Sequence, residues 1–505
     1  MLDAYILAAE MVFNPYVLGV MLLSGVYGLV IGCIPGLSAT MAIALLVPLT
    51  FFMPPIPAIA AIVTTSAMAI FSGDIPGCLL RIPGTPASAA YVDEAYQMNL
   101  NGHPERALGI GLVFSVIGGL FGAIVLMLAA PALADFALHF SSVEFFWLVL
   151  LGLGGAVFIG ARRPVKAVLM LLVGLTIATV GMQNPAGLPR FTFGSIDLLS
   201  GFSLIPVMVG MFAVSEVLRS IIRPDTERVP TVGGIDGIFK GMWGLARKYP
   251  WPLARGSVLG TIIGALPGAG ADIAAWMSYA ISKRFSKEPE KFGTGHPEGL
   301  VEAGASNNSA LGGTWVPALV FGIPGDSITA IAIGVLYMKN LNPGPTIFIH
   351  APQNVYAIFL IFLLANLLMI PLGWAIIKTA RHVLKVPRKV LMPIILLFAM
   401  VGSYAINNNL FDVLIMLAFG LFGFLLEENE FPVAPIILGI VLGPMLEANF
   451  VASMIKADGS LIGFVNRPIA AVLAALTLAI VLWSIVSGLR RRGSGSAEGP
   501  VPEQL

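Results

Sequence analysis

The chain is a succession of long apolar runs separated by short polar stretches. Val17–Phe52 holds 36 residues without a formal charge. A single helix over that stretch would rise about 54 Å, against a bilayer core of about 30 Å. Pro35-Gly36 near its middle resolves the excess as a down-and-up hairpin. Ile56–Cys78 predicts a crossing, and a second Pro-Gly break follows in Arg81-Ile82-Pro83-Gly84-Thr85-Pro86. A polar loop then carries Asp93, Glu94, His103, Glu105 and Arg106, and apolar segments run near 107–131, 143–160, 166–182 and 203–222. After a basic link the order returns. Gly256–Ser282 holds a second hairpin, and Asn307-Asn308 precedes another break at Gly322-Ile323-Pro324-Gly325-Asp326-Ser327. Segments near 353–378, 390–406, 411–426, 433–448 and 468–488 follow, and the Gly/Ser/Pro-rich tail from Arg490 is expected to be disordered.

The two hairpins share a frame. Gly28, Gly32, Pro35 and Gly36 return as Gly260, Gly264, Pro267 and Gly268, with seven of fifteen aligned positions identical. The spacing from hairpin proline to the next break is 48 residues in the first copy (Pro35 to Pro83) and 57 in the second (Pro267 to Pro324), a difference one loop insertion explains. Such self-similarity marks an internal repeat. The expected division is 1–222 as a first membrane repeat with additional helices and 223–255 as a basic cytoplasmic link. A second repeat with additional helices then fills 256–489, and 490–505 forms a cytoplasmic tail.

Charge placement adds orientation. Basic clusters lie at Arg162, Arg163 and Lys166, from Arg219 to Arg255, from Lys283 to Lys291, from Lys378 to Lys389, and from Arg490 to Arg492. Basic loops stay cytoplasmic. The second hairpin has basic residues on both flanks and so enters from the cytoplasm, whereas the first has none and is expected to enter from outside. The fold class that results is an all-α polytopic membrane protein, an inverted repeat with re-entrant or broken helices and roughly 10–14 membrane segments.

Composition agrees with this class. The chain is 57% hydrophobic and 11% charged, with a mean hydropathy of +0.91; soluble domains carry about 25% charged residues. The net charge of +1 argues against a nucleic-acid partner. Cys33 and Cys78 lie in apolar runs and form no metal-spaced cluster, and the first basic residue is Arg81, so a cleaved signal peptide is not expected.

Candidate chemistry concentrates at the breaks. A half-helix that starts inside a membrane presents free N–H groups and a positive dipole end, which attract an anion. The residues beside the breaks are small or hydroxylated: Gly36, Ser38 and Thr40; Gly84, Thr85 and Ser88; Gly268 and Gly270; Gly325, Ser327 and Thr329. The plain alternative is that the Pro-Gly pairs are kinks and the hydroxyls cap helices. Asp272 and Asp326 lie at half-helix starts inside apolar stretches, where a carboxylate is costly. With Thr329 they could hold a Na⁺ or H⁺ coupling site, or simply cap. Asp74, before Pro76-Gly77, is placed nearer the membrane surface. The Asn307-Asn308 amides could touch substrate or pair helices, and Arg81 could counter a carboxylate or only mark the cytoplasmic side. Gly122, in an ordinary apolar segment, is expected to matter only if it packs a helix crossing. Neither a nucleotide-binding loop of the form G-x4-G-K-[ST] nor H-E-x-x-H occurs, so neither an ATP-driven engine nor an enzyme is expected, and no cofactor beyond the coupling ion.

Taken together, these motifs resemble the large membrane subunit of the tripartite tricarboxylate transporters. The segments that carry the resemblance are Gly32 to Thr40, Ile82 to Pro86, Leu266 to Asp272, Ser306 to Ala310 and Phe321 to Ser327. It implies a bacterial inner-membrane secondary transporter that imports a carboxylate, commonly a citrate-like tricarboxylate, by cation symport. It also implies a small membrane subunit and a periplasmic substrate-binding protein as partners, with the C-terminus cytoplasmic. Gly304 stands where the family often has Glu, with Glu302 two residues earlier. The site expected between the breaks comprises Gly36, Ser38, Thr40, Gly84, Thr85, Gly268, Gly270, Asn307, Asn308, Gly325 and Ser327. Two rivals stand beside this reading: an anion-selective channel built on the same paired hairpins, and a scaffold subunit that only anchors partners.

Opposite entry of the two hairpins is directly testable. Single cysteines at Met53 and Phe285, in a background without Cys33 and Cys78, should react with an impermeant thiol reagent from the outside and the inside respectively. Labelling of both from one face contradicts the inverted repeat.

Overall fold

The computed structural model describes residues 2–34, 37–158, 164–182, 184–222, 235, 237–383 and 388–493. Pro35 and Gly36, the basic pair Arg162 and Arg163, most of the link between 223 and 236, and the tail from 494 lie outside the described residues. Among the described residues the protein is helical, with one isolated antiparallel bridge between Gly181 and Arg190. Among the described residues, seven helices are long and apolar enough to cross a membrane, and six shorter apolar helices accompany them. The protein is therefore an all-α polytopic membrane protein.

Both hairpins form. Pro15–Cys33 and Ala39–Thr50 are the limbs of the first, Pro250–Gly264 and Gly270–Phe285 those of the second. The crossing after the first hairpin is broken at Gly73 into Pro55–Ser72 and Asp74–Leu80, and its counterpart Pro297–Phe321 is continuous. Both crossings end alike. Arg81 (φ 61°) and Gly322 (φ 68°) are left-handed caps. Arg81 and Gly322 donate N–H bonds to Gly77 and Ala318, while Ile82 and Ile323 donate to Pro76 and Pro317. At each break two carbonyls near the helix end thus find donors in the next two residues, which is how an αL termination closes a helix.

Helix packing is reciprocal. Pro104–Ala137, after the first break, packs along Pro297–Phe321 of the second repeat. Pro352–Val383, after the second break, packs along Pro55–Ser72 of the first, and the two long helices meet each other. A two-fold relation between repeats requires such an exchange. Outside this centre, Ser142–Phe158 and Pro164–Ala178 pack on Ala434–Lys456, and Leu204–Val209 with the π turn Gly210–Val214 packs on Leu410–Glu428.

Lipid supplies no hydrophobic drive between helices, so close backbone approach through small residues does this work. A Cβ on Gly118 would lie 2.0 Å from the Ala305 carbonyl oxygen, and one on Gly122 would lie 2.5 Å from that of Ser309. Gly312 faces Gly122 from the other side, at 2.4 Å from its carbonyl carbon. Gly122 is therefore part of the tightest seam between the repeats. Its segment reads as plain because the partner helix is nearly two hundred residues away.

Gly122→Val should destabilise the protein by at least the ~1–3 kcal/mol typical of overpacking, read as a lower unfolding temperature in detergent. Gly19, whose added Cβ would meet nothing within 4 Å, is the control. Equal behaviour of Gly122→Val and Gly19→Val contradicts the seam.

Candidate functional site

Each break docks on its own repeat's hairpin through glycine. A Cβ on Gly84 would lie 2.6 Å from Gly73 Cα and 2.9 Å from the Gly32 carbonyl oxygen. A Cβ on Gly325 would lie 2.8 Å from the Gly264 carbonyl oxygen and from Thr314 Cβ. These contacts correspond one to one across the repeat: Gly32 with Gly264, Gly73 with Thr314, Gly84 with Gly325. The segment after each break then starts with a reciprocal cap. In the first, Thr85 N donates to Ser88 Oγ and Ser88 N donates to Thr85 Oγ1, both at 3.1 Å. In the second, Asp326 N donates to Thr329 Oγ1 at 3.0 Å and Thr329 N donates to Asp326 Oδ1 at 2.8 Å. Asp326 is thus the N-cap of Ser327–Met338 in a capping box, and Thr329 spends its hydroxyl on the same box, donating to Asp326 Oδ1 at 2.7 Å.

The turn of the second hairpin brings these parts together. Gly268 (φ 78°) donates its N–H to the Gly325 carbonyl at 2.7 Å. Gly270 (φ 60°) starts the second limb, and a Cβ there would lie 2.8 Å from Asp326 Cβ. One turn on, Asp272 accepts the Ala87 N–H at 3.1 Å, and Trp276 Nε1 donates to the Pro86 carbonyl at 3.0 Å. The second hairpin therefore touches the breaks of both repeats. Asp272 and Asp326 are near enough to repel one another electrostatically. Asp272 remains solvent-accessible at this junction, whereas Asp326 is partly enclosed.

The other sequence candidates fall in three places. Ser38 is the N-cap of Ala39–Thr50 and accepts from Met41 N at 3.2 Å, with Thr40 beside it, half-buried. Gly36 lies outside the described residues. Asn307 and Asn308 are buried in Pro297–Phe321; Asn307 donates to Tyr91 Oη at 3.2 Å and Asn308 to Met369 Sδ at 3.5 Å. Ser327 is half-buried at the start of its helix. Arg81 forms an exposed pair with Asp93 at 2.9 Å and does not reach the junction. Asp74 is buried among helices.

Several residues were not legible as site or anchor. Glu94, in the polar loop, accepts from the backbone N–H groups of Gly293, Gly295 and His296 at 2.5–2.8 Å and from Tyr279 Oη at 2.9 Å. It clamps the loop of the second repeat to the first. Glu302 is fully buried and forms a two-pronged ion pair with Arg255 at 2.5–2.6 Å. The acidic residue near Gly304 thus braces a helix pair. Trp276 and Tyr91 complete the set. Each is one aromatic among many in the sequence, and only a partner distant in the chain distinguishes it.

A helical membrane protein whose broken helices from two repeats converge on one junction has the architecture of a secondary transporter. The comparisons with known proteins make that class specific. The chain belongs to the tripartite tricarboxylate transporter TctA family, whose model matches residues 18–438; this is the family of the large subunit of those transporters. It is 34% identical over 465 residues to a protein of Agrobacterium vitis described as an uncharacterized 52.8 kDa protein in the TAR-I ttuC' 3' region, covering 92% of each chain. It is 35% identical over 233 residues to an uncharacterized protein in the TAR-II ttuC' 3' region of the same organism, covering 46% of this chain and 96% of that one. No solved structure matches.

Gly270 tests whether the junction is functional. Gly270→Ala adds one methyl group against Asp326 and a side chain at positive φ, so transport should fall at least about tenfold, given that left-handed backbone costs an ordinary residue roughly 1–2 kcal/mol. Gly241→Ala also places a side chain at positive φ, but with nothing within 4 Å. It should leave transport near the parental rate. Parental transport by a fully assembled Gly270→Ala protein rules the junction out.

Proposed function

We propose that the chain is the permease subunit of a binding-protein-dependent secondary transporter that imports a citrate-like carboxylate by cation symport. In this reading it sits in a bacterial inner membrane with its C-terminus cytoplasmic. A small membrane subunit assembles with it, and a periplasmic binding protein delivers the substrate. The observation that carries the reading is the junction where the second hairpin touches both breaks. Half-helix starts at Gly270 and Ser327 supply N–H groups and dipoles for a carboxylate, while the N–H groups of Gly84–Ser88 are spent on internal bonds, and glycine lets the substrate approach the backbone. Substrate contact is assigned to Gly36, Ser38, Thr40, Gly84, Thr85, Gly268, Gly270, Gly325 and Ser327, with Asn307 and Asn308 behind them.

Cation coupling follows from charge. An anionic substrate at this junction meets Asp272 and Asp326. Two like unit charges about 4 Å apart at a protein-like dielectric repel by about 4 kcal/mol, roughly three orders of magnitude in affinity. A co-bound Na⁺ or H⁺ removes that penalty, which links uptake of the anion to uptake of the cation. Asp272 is the better ion ligand, because both Asp326 and Thr329 are engaged in the capping box.

Uptake of labelled citrate into proteoliposomes carrying both membrane subunits, with the binding protein added and Na⁺ or pH gradients imposed, tests the whole reading. Saturable, cation-dependent accumulation is expected. Ohmic conductance indicates the channel, and binding of partners without any flux indicates the scaffold. Asp272→Asn should raise the cation concentration for half-maximal uptake by about tenfold, equivalent to roughly 1.4 kcal/mol. Asp326→Asn should change it less, since Asn also caps. Unchanged cation dependence in both variants removes the ion role.

A further inference from the structure

Behind the junction lies a buried polar chain that joins Asn307 to two residues, Tyr91 and Asp74, with no role in the site described so far. Tyr91 donates its hydroxyl to Asp74 Oδ1 at 2.7 Å, and Asn307 Nδ2 donates to Tyr91 Oη at 3.2 Å. Asp74 is 7% exposed, Tyr91 3% and Asn307 0%. The chain crosses between repeats, from the broken crossing of the first to the continuous helix of the second. Two of its buried oxygens, Asp74 Oδ2 and Asn307 Oδ1, have no hydrogen-bond partner.

No described Lys, Arg or His pairs with Asp74. The nearest basic residue along the chain, Arg81, is engaged with Asp93 at the exposed end of the same short helix. The other ionisable groups facing this region bring no positive charge. Cys78 lies one turn along and Glu105 beyond it, while Asp272 acts on Tyr91 from the junction. Glu94 is turned to the Gly293–His296 loop, and Glu302 is held by Arg255. An unpaired carboxylate at such a place is strongly disfavoured as an anion. The free oxygen also lacks the surroundings of a metal ligand. No group of three or more His, Cys, Asp or Glu side chains that could hold a metal ion surrounds it among the described residues. A metal ion needs a shell of several oxygens, whereas a proton needs only the carboxyl group.

We propose that Asp74 is a protonation site of the transport cycle, with Tyr91 and Asn307 as its positioning residues across the repeat interface. The proton binds Asp74 as a neutral acid and leaves to water when the interface rearranges; the Tyr91 hydroxyl steadies the carboxylate left behind. This rests on the reading of the chain as a cation-coupled transporter and adds a proton-carrying group separate from Asp272.

The test has one arm that needs no substrate. Infrared difference spectra of the purified membrane complex, titrated from acid to alkaline pH, should show the carbonyl stretch of a protonated carboxylic acid. That band should vanish in Asp74→Asn and persist in Asp272→Asn. In Tyr91→Phe it should survive to higher pH, because removing the donor destabilises the carboxylate. In proteoliposomes with the binding protein and labelled citrate, Asp74→Asn should lose accumulation driven by a pH gradient yet keep citrate exchange. The absence of any band assignable to Asp74, an unshifted band in Tyr91→Phe, or full pH-driven accumulation by Asp74→Asn overturns the proposal. If the parental complex does not carry citrate, the carboxylate reading fails, and the infrared arm still decides the protonation site.

Discussion

Inside a bilayer, a backbone N–H or carbonyl without a partner costs several kcal/mol. A helix broken at mid-membrane exposes such groups on both sides of the break, so every break must be closed by protein or face a wet cavity. Here the closures are specific. Arg81 and Gly322 turn left-handed so that the following N–H groups cap the helix they leave. Thr85 with Ser88, and Asp326 with Thr329, cap the helix that follows. Glycine lets each break press against its own hairpin at backbone distance. The repeat, the Pro-Gly pairs and the small hydroxylated residues all answer that one requirement. The N–H groups left over at the junction are what a carboxylate can use.

The exchange of long helices between repeats ties the junction to the packing of one repeat on the other. Pro104–Ala137 and Pro352–Val383 each follow a break in one repeat and pack on the other. A shift of one repeat against the other therefore changes both breaks at once. Asp272 on Ala87 and the chain Asp74–Tyr91–Asn307 span the same boundary. Polar groups in a low-dielectric interior favour discrete arrangements, because a half-made bond is costly. Alternating access needs such discrete states.

Much of the fold was legible in the sequence, because an apolar run either exceeds the bilayer or fits it. Val17–Phe52 was too long for one helix, and the structure has two there. The matched breaks were legible because proline cannot continue a helix ladder and glycine takes up backbone that other residues avoid. Burial was not. Asp74 stands near the end of an apolar stretch with nothing local to announce its partners, yet the short helix Asp74–Leu80 is packed against Val92–Leu100 and Pro104–Ala137. Gly122 reads as ordinary because its partner lies on Pro297–Phe321. The capping of Asp326 was open from sequence, since an N-cap and an ion ligand need the same residue in the same place. Contacts made across two hundred residues leave no local periodicity from which to read them.

The central claim is that an anion is held where the second hairpin meets the breaks of both repeats. A structure of the complex with citrate and its coupling cation bound would locate that anion directly. Density is expected for a carboxylate against the backbone N–H groups at the starts of the half-helices Gly270–Phe285 and Ser327–Met338. Citrate resting elsewhere, with the four breaks closed on themselves and no density at the junction, would contradict it.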